Sequence, residues 1–300
     1  MELDFSGRVA IVTGAGGGLG RLHALALARR GAKVVVNDLG GSVDGTGGSA
    51  SAAQQVVDEI RAAGGEAIAN GASVTDFAAV QAMVQQAVDA WGRVDVLVSN
   101  AGILRDKSFA KMELDDFRLV LEVHLMGAVH CAKALWPVMT QQKYGRIVLT
   151  TSSTGLYGNF GQTNYGAAKM GLVGFMQTLA LEGQKHDIRV NCLAPTARTR
   201  MTEHLFPQDM MAAFGPESVV PAMLVLAGTD APTRTTLCAG AGAFEAAHVT
   251  LTRGVHIGTG GDAPERLLAQ LDAVRDRTGE TVPGSGAEQG ANEMRLARGG

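Results

Sequence analysis

Apolar residues follow two alternating patterns along most of this chain. Short runs such as VAIVTG, KVVVNDLG, EAIANGAS, VDVLVSNAG, GRIVLTTSS and IRVNCLAP are apolar almost throughout and end at Gly, Asn, Asp, Ser or Pro. Between them lie longer segments whose apolar residues recur every three or four positions. These are Leu19 to Ala28, AAQQVVDEIRAAGG, VQAMVQQAVDAWG, FRLVLEVHLMGAVHCAKALWPVM and YGAAKMGLVGFMQTLALEG. The first pattern is that of strands buried on both faces, the second that of amphipathic helices. Their strict alternation predicts an α/β fold, a doubly wound parallel sheet of the Rossmann type with helices on both sides.

The periodicity changes toward the C-terminus. Residues 196–215 mix Arg, Met, Phe and Pro without a period, which suits a lid over a site better than a core element. PESVVPAMLVLAG reads as one more helix and AFEAAHVTLTRG as a late strand. Beyond Pro264, ERLLAQLDAVRDR is an amphipathic helix, and GETVPGSGAEQGANEMRLARGG is too poor in apolar residues to pack well. The expected organisation is a single domain over 1–262 and an extension over 263–300, consisting of a helix and a loosely ordered tail.

Composition mostly excludes alternatives. The chain has 300 residues, 46% hydrophobic and 18% charged, enough to bury the core of one large domain. Its net charge of −3 comes from interspersed signs, so neither nucleic acid nor an anionic membrane is an expected partner. Cys131, Cys192 and Cys238 are odd in number, lack metal-ligand spacing and lie in apolar surroundings. They read as reduced core residues, and no metal site is expected. MELDFSGRVAIVTG has no signal-peptide pattern, and no uninterrupted apolar run approaches the roughly 18 residues of a membrane span. A cytoplasmic location is expected.

The candidate chemistry begins at TGAGGGLG, in the turn between the first strand and the first helix. Main-chain N–H groups at a helix N-terminus can hold a pyrophosphate there. Gly14 allows the tight turn, Gly18 the approach of a phosphate and Gly20 close helix-to-strand packing, with Leu19 between the last two. The spacing is GxxxGxG rather than the commoner GxGxxG. Asp38 ends the second strand, where a carboxylate accepts hydrogen bonds from ribose hydroxyls and repels a 2′-phosphate. NAD is therefore expected over NADP; the alternative is an Asp that only begins the NDLGG turn. In SNAG, Asn100 would hold neighbouring backbone while Ala101 and Gly102 leave room for adenosine.

Tyr165 and Lys169 stand four apart on one helical face, so the ammonium can stabilise a tyrosinate. A free tyrosine with a pKa of about 10 is otherwise a poor base at neutral pH. Ser152 ends the preceding strand and can bond a substrate oxygen as charge develops, with Ser153 its near competitor. Without the glycine turn, a Tyr and a Lys at this spacing are more often a solvated helix face.

With TGxxxGxG, NAG, the serine and YxxxK in order, the chain from about Gly7 to Thr259 resembles the short-chain dehydrogenase/reductase family. Within it, VVVNDLGG, NAGILRDKSFAKM, YGRIVLTTSSTGLYGNFGQTNYGAAK and NCLAPTARTRMTE look like the (3R)-hydroxyacyl-CoA dehydrogenase unit of type 2 multifunctional enzymes. The resemblance implies that Tyr165 removes the hydroxyl proton of a secondary alcohol while hydride leaves the same carbon. It also implies that Lys169 binds the nicotinamide ribose, and that Ser152 rather than Ser153 takes the family's serine position. The loop after Pro195 would hold the carboxamide, with Thr199 as its side chain.

Three positions depart from the family pattern. His124 stands where most members have an asparagine whose backbone carbonyl anchors a proton-relay water. The acid that usually meets the adenine amino group is missing from NGASV, leaving Ser73 to supply a weaker bond. Thr196 replaces the glycine that usually follows Pro195. The implied activity is NAD-dependent oxidation of a (3R)-hydroxyacyl-CoA thioester by a homodimer or homotetramer. The alternatives are a 17β-hydroxysteroid or other alcohol substrate and, in another class, a non-catalytic NAD-binding regulator.

Overall fold

The computed structural model of the chain describes residues 3–42, 44–47, 51–197 and 213–299. By contacts the chain divides into two compact units, Met1–Ala247 and His248–Gly300. The first boundary falls earlier than the position after 262 that the sequence pattern suggests.

The first unit is the doubly wound sheet. Its strands are β1 (Val9–Thr13), β2 (Lys33–Asn37), β3 (Ala67–Asn70), β4 (Val96–Ser99), β5 (Gly145–Thr150), β6 (Ile188–Pro195), β7 (Thr236–Gly240) and β8 (Ala243–Ala247). They lie in the order β3-β2-β1-β4-β5-β6-β7-β8. Every pair is parallel except β7 with β8, which is an antiparallel hairpin. β7 (TLCAG) has no counterpart in the sequence-based expectation, and only the first five residues of AFEAAHVTLTRG form the late strand.

Alternation along each strand feeds two cores. Ala10, Val12, Val34 and Val36 face α1 (Gly18–Arg29) and α2 (Ser51–Ala62), with α8 (Val220–Ala227) completing that layer. Val9, Ile11, Val35 and Leu97 face the other side. There they meet α3 (Phe77–Trp91), α5 (Gly127–Gln142) and α7 (Thr163–Gly183). α3 has both ends defined by sequence. Asp76 accepts the Ala79 N–H at 3.1 Å as N-cap, and Gly92 closes the helix in the left-handed region at φ 76°.

The long apolar helix of the sequence pattern is three pieces. α4 (Leu114–Leu121) and α5 flank one π turn, Glu122–Met126. The stretch Leu114–Gln142 has the length and mean hydropathy of a membrane-crossing helix by composition alone. Its apolar residues Val120, Cys131, Leu135 and Met139 are fully buried in this unit. A short helix, α6 (Ser153–Tyr157), fills the turn between β5 and α7; five residues are too few to show a period.

The strand order reverses between β1 and β4, where an open α/β sheet leaves a crevice at the carboxyl ends of its strands. The opposite edge is closed by Arg146, whose guanidinium is wholly buried. Its five bonds reach the carbonyls of Gly145, Asp187, Gly228 and Thr229 and the Asp187 carboxylate.

The second unit holds α9 (Ala263–Ala269), α10 (Leu271–Arg275) and α11 (Ala287–Ala297), with a bridge between Leu251 and Thr281. None of its described residues is buried. The tail expected to be loosely ordered carries α11, because AEQGANEMRLA is rich in strong helix formers although poor in apolar residues.

Candidate active site

A cleft of about 580 Å³ opens at the strand carboxyl ends of the first unit. Its floor is the glycine turn. Gly14 and Gly18 are both in the left-handed region, at φ 63° and 51°. A side chain on Gly14 would meet the Ala101 backbone at 2.8 Å, and one on Gly20 would meet the Gly14 carbonyl at 2.2 Å. Gly18 faces open space instead. The turn is therefore packed on the β4 end from one side and open on the other. Asn100 Nδ2 donates to the carbonyls of Thr13 and Gly14, at 3.1 and 3.2 Å. The Thr13 hydroxyl oxygen accepts the N–H groups of Asn100 and Ala101, at 3.0 and 3.1 Å. Gly17, as N-cap of α1, has no side chain to occupy the first-turn N–H groups.

Asp38 borders the cleft just after β2. Its Oδ2 accepts the Gly16 N–H at 2.7 Å and its Oδ1 the Gly40 N–H at 2.6 Å. The carboxylate thus joins the end of β2 to the glycine turn, which spacing alone does not reveal. Ser73 also lines the cleft, its hydroxyl 2.8 Å from that of Thr75.

Ser152, Tyr165 and Lys169 converge on one wall. Ser152 is N-cap of α6, its Oγ accepting the Thr154 N–H at 3.1 Å, and its hydroxyl is near enough to the Tyr165 phenol to favour the phenolate. Ser153 is exposed, so Ser152 is the serine presented to the tyrosine. Lys169 is buried, donates to the Thr150 carbonyl and lies 5.4 Å from the centre of the Tyr165 ring. Gly155 lets α6 lie against α7, since a side chain there would meet Lys169 Cβ at 2.7 Å.

The electrostatics differ from the simple expectation of a lowered tyrosine pKa. Burial pushes Tyr165 up to about 12, against the pull of its Ser152 bond and with the nearby Asp106 adding to the rise. Burial likewise brings Lys169 down to about 7. Desolvation is the largest cause for both groups, and helical spacing cannot report it.

His124 sits at the centre of the π turn and is buried in the cleft wall. Burial, then repulsion from Lys169, hold its imidazole down at about 3, so it is neutral. Ala101, Gly102, Leu19 and Pro195 also line the cleft, as does Thr196 beside Pro195. Thr199 and most of the expected lid, including Arg198, Arg200, Met201, Leu205, Phe206 and Met211, lie outside the described residues. Arg105 and Lys107, in the loop after β4, are both paired with Asp116, at 3.5 and 3.2 Å.

One group escaped sequence reasoning. Gln162 lines the cleft, donates to Asp106 Oδ2 at 2.6 Å and accepts from Thr154 Oγ1 and Asn159 Nδ2. It ties the loop after β4 and helix α6 to the connection that leads into Tyr165. Its place three residues before Tyr165 was the only available signal.

A sheet crevice with a glycine-lined helix N-terminus, beside a serine, tyrosine and lysine, defines a nicotinamide-dependent oxidoreductase. The open face at Gly18 and the backbone cradle that side chains at Gly14 and Gly20 would fill suit the dinucleotide. The family model for short chain dehydrogenase matches residues 8–209, and the chain belongs to that family.

The peroxisomal hydratase-dehydrogenase-epimerase of Saccharomyces cerevisiae is 55% identical over 225 residues, covering 75% of this chain and 25% of its own length. The chain thus spans about a quarter of that relative. The full-length peroxisomal multifunctional enzyme type 2 structure from Drosophila melanogaster superposes with a TM-score of 0.81 at 36% identity. It covers 99% of this chain and 50% of its own. A 7α-hydroxysteroid dehydrogenase solved with NADH and 7-oxo glycochenodeoxycholic acid gives 0.72 at 30% identity, covering 80% and 95%.

Proposed function

We propose that the protein oxidises the 3-hydroxyl of a (3R)-hydroxyacyl-CoA thioester with NAD. The observation that carries this reading is the convergence of Ser152, Tyr165 and Lys169 on the wall of the cleft that also holds the glycine turn and Asp38. The thioester is supported by the long stretches shared with the dehydrogenase unit of type 2 multifunctional enzymes, and by the similarity to the yeast hydratase-dehydrogenase-epimerase.

A nicotinamide held over the glycine turn would supply the hydride acceptor. Ser152 donates a hydrogen bond to the substrate oxygen and holds it against Tyr165. Tyr165, as phenolate, takes the hydroxyl proton as the carbon–hydrogen bond breaks, leaving a ketone; as phenol, it returns that proton in the reverse reaction. Lys169 stabilises the phenolate, and its buried ammonium is placed to bond the nicotinamide ribose. Asp38 presents a carboxylate to the adenosine ribose, which disfavours a 2′-phosphate. Exposed Met126, Met170 and Leu181 support assembly into a homodimer or homotetramer.

A steroid substrate is the second reading, favoured by the fold similarity to the 7α-hydroxysteroid dehydrogenase. Initial rates of NAD reduction separate the two: (3R)-hydroxyacyl-CoA esters of several chain lengths, their (3S) epimers and a 17β-hydroxysteroid, each repeated with NADP. Turnover confined to the (3R) thioesters supports the first reading, and turnover confined to the steroid replaces it with the second.

A further inference from the structure

The structure assigns the His124 side chain a positioning role, holding the cofactor-side loop after β4 and the Tyr165 ring as one unit. His124 Nε2 lies 2.8 Å from the Ile103 carbonyl and 3.1 Å from the Ile103 N–H. One tautomer donates to the carbonyl and the other accepts from the amide, so in either state the ring is tied to the main chain of Ile103. Ile103 directly follows Asn100, Ala101 and Gly102, all of which line the cleft. On its other side the imidazole meets Tyr165 edge-on, with centroids 5.1 Å apart and planes at 88°.

Three further observations show that the ring has little freedom. A side chain on Gly102 would meet His124 Cε1 at 2.2 Å, so the imidazole lies directly over that glycine. Among the described residues Nδ1 is buried without a hydrogen-bond partner, and Ile103 is the ring's only polar anchor. The π turn Glu122–Met126 delivers His124 to this place, and such turns recur where a helix must aim a functional side chain. An asparagine here would be shorter and carry no ring. It could not both reach Ile103 and present an edge to Tyr165.

This role concerns the side chain, not the backbone carbonyl, and it rests on Tyr165 acting as the proton-transfer group. Two substitutions separate the contacts. His124→Gln keeps an amide in reach of Ile103 and removes the ring. His124→Phe keeps the ring edge on Tyr165 and removes the polar anchor. With (3R)-hydroxyacyl-CoA and NAD, His124→Gln should lower kcat roughly tenfold while KM for NAD stays close to wild type, because the tyrosine loses its alignment. His124→Phe should instead raise KM for NAD and the NADH dissociation constant, with a smaller fall in kcat.

Parallel changes in kcat and KM in both variants, or no change in either, would overturn the assignment in favour of a packing role. Circular dichroism identifies a variant that does not fold, and the remaining one then decides by its own split. If the wild-type enzyme fails to turn over the thioester, the substrate reading has failed. NADH binding by fluorescence still decides the anchor to Ile103 in that case: equal affinity in wild type and His124→Phe refutes it.

Discussion

Asp38 accepts the main-chain N–H of Gly16 at 2.7 Å, so the residue expected to choose the cofactor also holds the turn that would bind its phosphates. The two roles are coupled by space as well. A side chain on Gly16 would stand 2.8 Å from that carboxylate. Asp38→Asn keeps an acceptor for Gly16 and removes the charge. We expect it to raise kcat/KM for NADP while NAD kinetics stay within a few-fold of wild type, since only a 2′-phosphate feels the lost repulsion. Asp38→Ala should weaken both cofactors, because the turn loses its tether. Isothermal titration with each cofactor checks this; unchanged discrimination in the Asn variant removes Asp38 from the selection.

Tyr165→Phe removes the proton acceptor while keeping ring area and the edge contact to His124. The expected result is a loss of kcat of about 10²- to 10⁴-fold with NADH binding retained. Ser152→Ala should cost roughly 10²- to 10³-fold, as for the loss of one donor to a developing oxyanion. Substantial turnover by the tyrosine variant in a stopped-flow assay is the outcome that defeats the assignment.

How far the site could be read beforehand depended on whether chemistry showed in spacing. Tyr165, Lys169, Asn100 and the three glycines stood out because each needs a fixed residue type at a fixed offset from an element end. Their depth did not show. Nothing in YGAAK reports that Lys169 is buried against the Thr150 carbonyl, or that burial raises the phenol and lowers the lysine. In the fold, long runs such as VAIVT and the α3 segment were legible, while TLCAG and STGLY were too short to establish a period. The α4–α5 stretch read as one helix because the π turn inserts no helix breaker; EVHLM is ordinary helical sequence.

A phenol raised to about 12 gives the reaction a direction with pH. Alcohol oxidation needs the phenolate, so its kcat should climb as pH rises from about 6 to about 9, while ketone reduction, which needs the phenol, should fall or stay level. Rate profiles in both directions test this. An oxidation rate independent of pH over that range, with chemistry rate-limiting, rules out Tyr165 as the titrating base.

Arg146 offers a stability test far from the chemistry. Its side chain is 1% exposed and satisfies carbonyls from three chain segments, and its guanidinium and that of Arg8 lie 4.1 and 3.8 Å from the centre of the Tyr144 ring. Arg146→Met keeps volume and strands those carbonyls, which should cost about 3 kcal/mol. Urea denaturation should show the loss, with kcat per folded molecule unchanged; a change under about 0.5 kcal/mol means water replaces the bonds.

His23, on the buried face of α1, has both ring nitrogens buried without hydrogen-bond partners among the described residues. Burial holds it at about 4 in the fold, below its ordinary value of 6.5. Between those values the unfolded chain binds the proton and the folded chain does not, so stability is lost as pH falls from 6.5 toward 4. A shift of that size corresponds to roughly 3 kcal/mol. His23→Phe abolishes this proton uptake, so the wild-type protein should lose stability relative to the variant on acidification, with the gap opening below about pH 6.5. Urea midpoints of both proteins across that range measure the gap. Parallel curves would show that the folded protein accommodates the imidazolium, through water or a shift of α1.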